Sequence, residues 1–68
     1  MNEIVFLVED AAEGGVVARA IGHSIFTEAD SYAELRVQVR EAVHLHFDDG
    51  ERPVVIRLHY VKDEVLAA

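Results

Sequence analysis

Five apolar residues in a row, Ile4-Val5-Phe6-Leu7-Val8, lie between Glu3 and Glu9 near the start of the chain. A run this short and this rich in strand formers predicts a strand that is apolar on both faces, buried twice or placed at an interface. Ala11-Ala12-Glu13-Gly14-Gly15 follows, and paired glycines take the positive φ angles that a tight hairpin needs. Val16 to Ile21 then reads as the returning strand. A bend at Gly22-His23-Ser24 leads into Ile25-Phe26-Thr27-Glu28, read as a short continuation of that arm.

Ser31-Tyr32-Ala33-Glu34 is the strongest local signal. Serine followed three residues later by glutamate is the pattern of a capping box, so a helix is expected from Tyr32 to about Phe47. At about 100° per residue, Leu35, Val39, Ala42, Val43 and His46 share one arc, with Tyr32 and Phe47 near its edge. Asp48-Asp49-Gly50 ends the helix, with Gly50 as a left-handed terminator. Pro53 opens a last strand in which Val54, Ile56, Leu58 and Tyr60 alternate with Val55, Arg57, His59 and Val61. The tail from Asp63 to Ala68 either frays or forms a helical turn that docks Val65 and Leu66.

The order β-β-β-α-β predicts a two-layer α+β domain spanning residues 1–68, an antiparallel sheet of three to four strands with one helix on one face. One helix covers one face only. The first strand is apolar on the other face as well, and so are Val55 and Val61 of the last. On the back of the helix stand Val37 and Leu45. Val5, Leu7, Val37, Leu45, Val55 and Val61 are therefore the candidates for self-association into a dimer or tetramer.

Composition strengthens that expectation. A chain of 68 residues with 51% hydrophobic and 28% charged residues is a globular domain, and a small one. Domains of this size bury only about 60% of their unfolded surface and recruit disulfides, metals or further copies for stability. There is no cysteine, which leaves oligomerisation as the expected supplement and fits a reducing, cytoplasmic location. No apolar run approaches the ~20 residues of a membrane span, and no basic region precedes the first apolar stretch as in a signal peptide. Six Lys and Arg against thirteen Asp and Glu give a net charge of −7. Such a chain is poorly suited to a nucleic-acid backbone and better suited to a basic protein partner.

Candidate chemistry is sparse. His44 and His46 are two apart on the helix and point in directions about 160° from each other, so they do not chelate one ion together. His46 reads as a boundary histidine of the core. A metal-dependent hydrolase built from His23 or His59 with carboxylates is one alternative reading, though no spacing predicts it, and a purely structural homo-oligomer is another. No nucleophile elbow, phosphate loop, dinucleotide fingerprint or His-Glu-x-x-His is present, and neither a catalytic set nor a cofactor site is expected. Arg36, Arg40 and His44 form a ridge at four-residue spacing. It reads as a solvated face suited to the C-terminal half of a helix, or else as an ion-pair seam against acidic loops of a second subunit.

Gly14-Gly15-Val16-Val17-Ala18-Arg19-Ala20-Ile21-Gly22-His23, Thr27-Glu28-Ala29-Asp30-Ser31-Tyr32-Ala33-Glu34-Leu35 and Val39-Arg40-Glu41-Ala42-Val43 together resemble the N-terminal domain of HicB-type antitoxins. The likeness covers roughly residues 3 to 61. It implies a β-β-β-α-β, partial ribonuclease H-like fold and a partner-binding module rather than a catalyst. Members of that family bind a small basic toxin ribonuclease and use a separate C-terminal domain to bind DNA. The present sequence ends at Ala68 without such a domain, so no direct nucleic-acid binding is expected of it, and His23 stands where many members have cysteine. The helix-start loop and acidic turns, Glu28, Asp30, Tyr32, Asp48 and Asp49, are the candidate contacts to a toxin.

Overall fold

The computed structural model describes residues 2–68. Strands β1 (Glu3–Asp10), β2 (Val16–Ala20) and β3 (Phe26–Ala29) precede helix α1 (Tyr32–His46), a short 3₁₀ turn (Asp49–Glu51) and strand β4 (Val55–Val61). The strands form one open sheet in the order β3-β2-β1-β4, with α1 across one face. This is the expected α+β, two-layer fold. The β1–β2 and β2–β3 pairs are antiparallel, whereas β4 runs parallel to β1, so the sheet is mixed. The helical crossover between β3 and β4 carries the chain back to the starting end of β1, where parallel pairing is the available geometry.

Gly14 and Gly15 take φ values of 102° and 78°, as the hairpin requires. Adding a Cβ at Gly15 would place it 2.6 Å from the carbonyl oxygen of Ala29, so the turn and β3 meet there with no room for a side chain. Gly22, at φ 86°, does more than bend an arm. The chain reverses, and Ala20 N–H donates to the Ile25 carbonyl at 2.9 Å. The expected continuation of β2 is therefore a third, antiparallel strand, with Val16 opposite Ala29 and Arg19 opposite Phe26.

Ser31 Oγ accepts from the Glu34 N–H at 3.2 Å and fixes the start of α1. The helix ends at Phe47, in extended conformation, whose N–H reaches Val43 O at 3.2 Å. Gly50 is not the terminator. It lies in the following 3₁₀ turn without a positive φ, because Phe47 has already left the helix.

Leu35, Val39 and Val43 of α1 pack on Ile4, Phe6 and Val8 of β1 and on Val16, Ala18 and Ala20 of β2, all buried. His46, assigned to this arc by periodicity, is exposed. It sits in the last helical turn and meets His23 and Phe47 edge-on, with ring centroids 6.1 and 4.9 Å away. Val54 is 84% exposed and precedes β4 instead of opening its inner row, its N–H taken by Asn2 O. The segment after Val61 has no regular structure, and Val65 and Leu66, expected to dock, are exposed. No helix among the described residues is long and apolar enough to cross a membrane.

Candidate functional site

Alternation along β1 sends Ile4, Phe6 and Val8 under the helix and Glu3, Val5, Leu7 and Glu9 to the opposite face. Register adds Val55, Arg57, His59 and Val61 from β4 and Val17 and Arg19 from β2 to that outer face. No layer covers it. Val5, Leu7, Val17 and Val61 are half-buried only by their neighbours, and Val55 is 48% exposed. Two ion pairs cross the face between adjacent strands, Glu3 with Arg57 and Glu9 with Arg19. Both are solvent-exposed and so contribute little to stability.

Of the self-association candidates, Val5, Leu7, Val55 and Val61 thus share one surface. Val37 and Leu45, 54% and 88% exposed, stand on the back of α1, on the far side of the molecule. The sequence treats all six as one set, but the sheet separates them.

The helix divides the remaining charge. On its β3 side a shallow hollow of about 380 Å³ is lined by Glu28, Asp30, Glu34 and Gln38 beside Gly14 and Val16. Its ionisable residues are all acidic, although Glu28 borders it from a strand position that pairs with Val17 and so turns its side chain to the outer face. On its β4 side a groove of about 390 Å³ runs between helix and strand. Val39, Val43, Ile56 and Leu58 form the floor, and Arg36, Arg40, His44 and Arg52 line the rim. Arg52 donates to Asp49 at 2.9 Å and to the His44 carbonyl at 3.4 Å, while its Nε is buried without an acceptor. Arg19, Arg52, Arg57 and Lys62 each have a carboxylate partner; Arg36 and Arg40 have none among the described residues.

The candidate toxin contacts do not form one patch. Glu28 and Asp30 line the acidic hollow. Tyr32 is near it in sequence, but its ring stacks on Tyr60, centroids 5.2 Å apart and planes nearly parallel. Asp48 and Asp49 lie beyond the other end of a fifteen-residue helix, about 22 Å away at 1.5 Å per residue. The Tyr60 hydroxyl donates to Asp10, and this hydrogen bond holds its pKa above the ordinary value of 10.0, with the carboxylate charge adding to the effect.

His23 and His59 are not brought together. His23 packs against His46 and Phe47 at the end of the helix, while His59 is on the outer face opposite Leu7. No group of three His, Cys, Asp or Glu among the described residues is placed to hold a metal ion. Sequence reasoning missed Arg52, which reaches the groove from the loop after α1. Its three-residue spacing from Asp49 was the available signal.

These features define a small α+β domain with an uncovered sheet face and two oppositely charged flanks. The chain belongs to the UPF0150 family. It is 54% identical to a UPF0150 protein of Archaeoglobus fulgidus over 53 residues, covering 78% of this chain and 79% of the relative. It is 37% identical to a UPF0150 protein of Thermotoga maritima over 66 residues, covering 97% and 93%. No protein-family model matches the sequence, and no solved structure matches it.

Proposed function

We infer that the chain is a protein-binding module of the HicB-like kind, working as an oligomer and neutralising a small basic toxin ribonuclease. The observation that carries this reading is the outer face of the sheet, where Val5, Leu7, Val17, Val55 and Val61 have no layer over them. A face of that kind in an undersized domain is a surface for another protein. The sign of the partner follows from Asp30 and Glu34 at the hollow and Glu28 at the adjoining edge of the outer face, in a chain of net charge −7. A catalytic role has less support, since His23 and His59 lie on different sides of the sheet.

Calorimetric titration with a small basic toxin ribonuclease of the HicB-partner type tests the reading, with protection of RNA from that toxin as a second readout. Saturable binding that weakens in the Glu28→Lys, Asp30→Lys double variant is the expected result. No binding and no protection by the wild-type chain would remove the antitoxin assignment.

A further inference from the structure

The inner row of β4 is the part of the core that α1 leaves incompletely covered. Ile56 and Leu58 remain half-exposed beneath the groove, and Arg36 and Arg40 above them have no ion pair among the described residues. β4 is also an edge strand, paired with β1 on one side only. Beyond Val61 the chain continues as Lys62-Asp63-Glu64-Val65-Leu66, with Val65 94% and Leu66 77% exposed. The molecule measures 52 Å along its longest axis against 20 and 18 Å. A seven-residue strand is only about 23 Å long, so this segment projects past the sheet.

We propose that β4 pairs antiparallel with β4 of a second copy about a two-fold axis at Leu58, and that each acidic, apolar tail seats in the arginine-lined groove of the other copy. The proposal stands apart from the toxin reading. Its geometry follows from the direction of the helix. Tyr32, at the start of α1, stacks on Tyr60 near the end of β4, and Arg52, just before β4, reaches the carbonyl of His44. The helix is therefore antiparallel to β4, and Arg52 and His44 mark the end of the groove where β4 begins. A two-fold at Leu58 sets the start of each β4 beside the end of the other, so each tail leaves its strand at that end of its neighbour's groove and turns back along the groove floor.

Residues directly opposite in an antiparallel pair share a face. Both helices then lie on the same side of the joined sheet, each over its own β2 and β3. The two half-covered rows, Ile56 and Leu58 of each copy, become one trough between the helices. Asp63 and Glu64 supply carboxylates to Arg36 and Arg40, and Val65 and Leu66 supply apolar cover. The pairing also satisfies the open backbone groups of an edge strand. A phosphate polymer would match the arginines but leave the apolar floor in water, and the charge of −7 disfavours it.

Light scattering and sedimentation of the full chain test the proposal through two charge reversals, Arg36→Glu with Arg40→Glu and Asp63→Lys with Glu64→Lys. The wild type is expected to have the mass of two chains, or of a multiple of two. Each double variant alone is expected to weaken association by about tenfold or more. Mixing the two variants restores it, because in the mixed pair a Lys tail meets a Glu groove and an acidic tail meets an arginine groove. Leu58→Cys is a second readout in a chain with no native cysteine. Opposed Cα atoms about 4.5–5.5 Å apart lie within disulfide range, so mild oxidation should link two copies through that position. A wild type that stays monomeric at ~100 μM, a concentration at which a 1 μM dimer is nearly saturated, would overturn the proposal. So would association indifferent to both charge reversals, or a dimer that Leu58→Cys never links.

Discussion

The two flanks of α1 are built from the same fifteen residues and differ in sign and lining. Toward β3 the helix turns Glu34 and Gln38 onto a shallow polar hollow; toward β4 it turns Arg36, Arg40 and His44 onto a groove with an apolar floor. Residues two apart on a helix face nearly opposite ways, so Glu34 and Arg36 belong to different surfaces although they are near neighbours in sequence. The apolar floor follows from width. Four strands about 4.8 Å apart make a sheet wider than one helix about 10 Å across can cover. Here α1 lies over β2 and β3, and the uncovered strip falls along β4. A half-covered core edge and a cationic rim therefore coincide.

The largest way to break this difference is to release the helix. Leu35 is fully buried beneath it, and Leu35→Ala should cost about 2–5 kcal/mol by loss of contacts and creation of a cavity. Urea denaturation would register it as a lower midpoint, and hollow and groove should be lost together. Closing up the β3 side alone is a smaller perturbation. Gly15→Ala strains a φ of 78° and drives a Cβ into Ala29 O, whereas Gly14→Ala strains only a φ of 102° in open space. Left-handed strain alone costs about 1–2 kcal/mol, so Gly15→Ala should exceed that and Gly14→Ala should not. Equal midpoints for the two variants would contradict the close approach of turn and strand.

Removing the helix cap comes next. Ser31→Ala deletes the acceptor for the Glu34 N–H, with an expected loss of about 1 kcal/mol and fraying beside the acidic hollow. Amide exchange at Glu34 and its neighbours would detect it. The smallest effect concerns Tyr60. With its pKa raised in the fold by Asp10, the folded chain holds this proton more tightly than the unfolded one. The resulting stabilisation is fully present below about pH 10, the unfolded value, and is lost as pH rises through the folded value. Ultraviolet titration should show one tyrosine ionising late, and Asp10→Ala should return it toward the ordinary value.

Local chemistry was the legible part of the fold. Ser31 and Glu34 marked the helix start to the residue, and Gly14-Gly15 marked the hairpin, because a cap and a turn are made by neighbours in sequence. Reversal at Gly22 was less legible, since a bend and a hairpin turn both use a glycine of positive φ and differ only in where the next strand goes. The site was less legible still. Glu28 and Asp30 line the hollow as candidate contacts, but Asp48 and Asp49 sit at the far end of α1, and Arg52 enters the groove from a loop whose path no periodicity reports.

By itself the sequence determined the elements, their order and the faces that must be apolar, because capping, turn preference and alternation act over two to four residues. It also determined that the chain is acidic and its helix charged on both flanks. Only the tertiary structure decided that β4 runs parallel to β1, that α1 sits off-centre over β2 and β3, and that His46 and the tail lie outside the core. Those outcomes depend on how a narrow helix packs on a wider sheet. That geometry is set by many distant contacts at once and by no single stretch of chain.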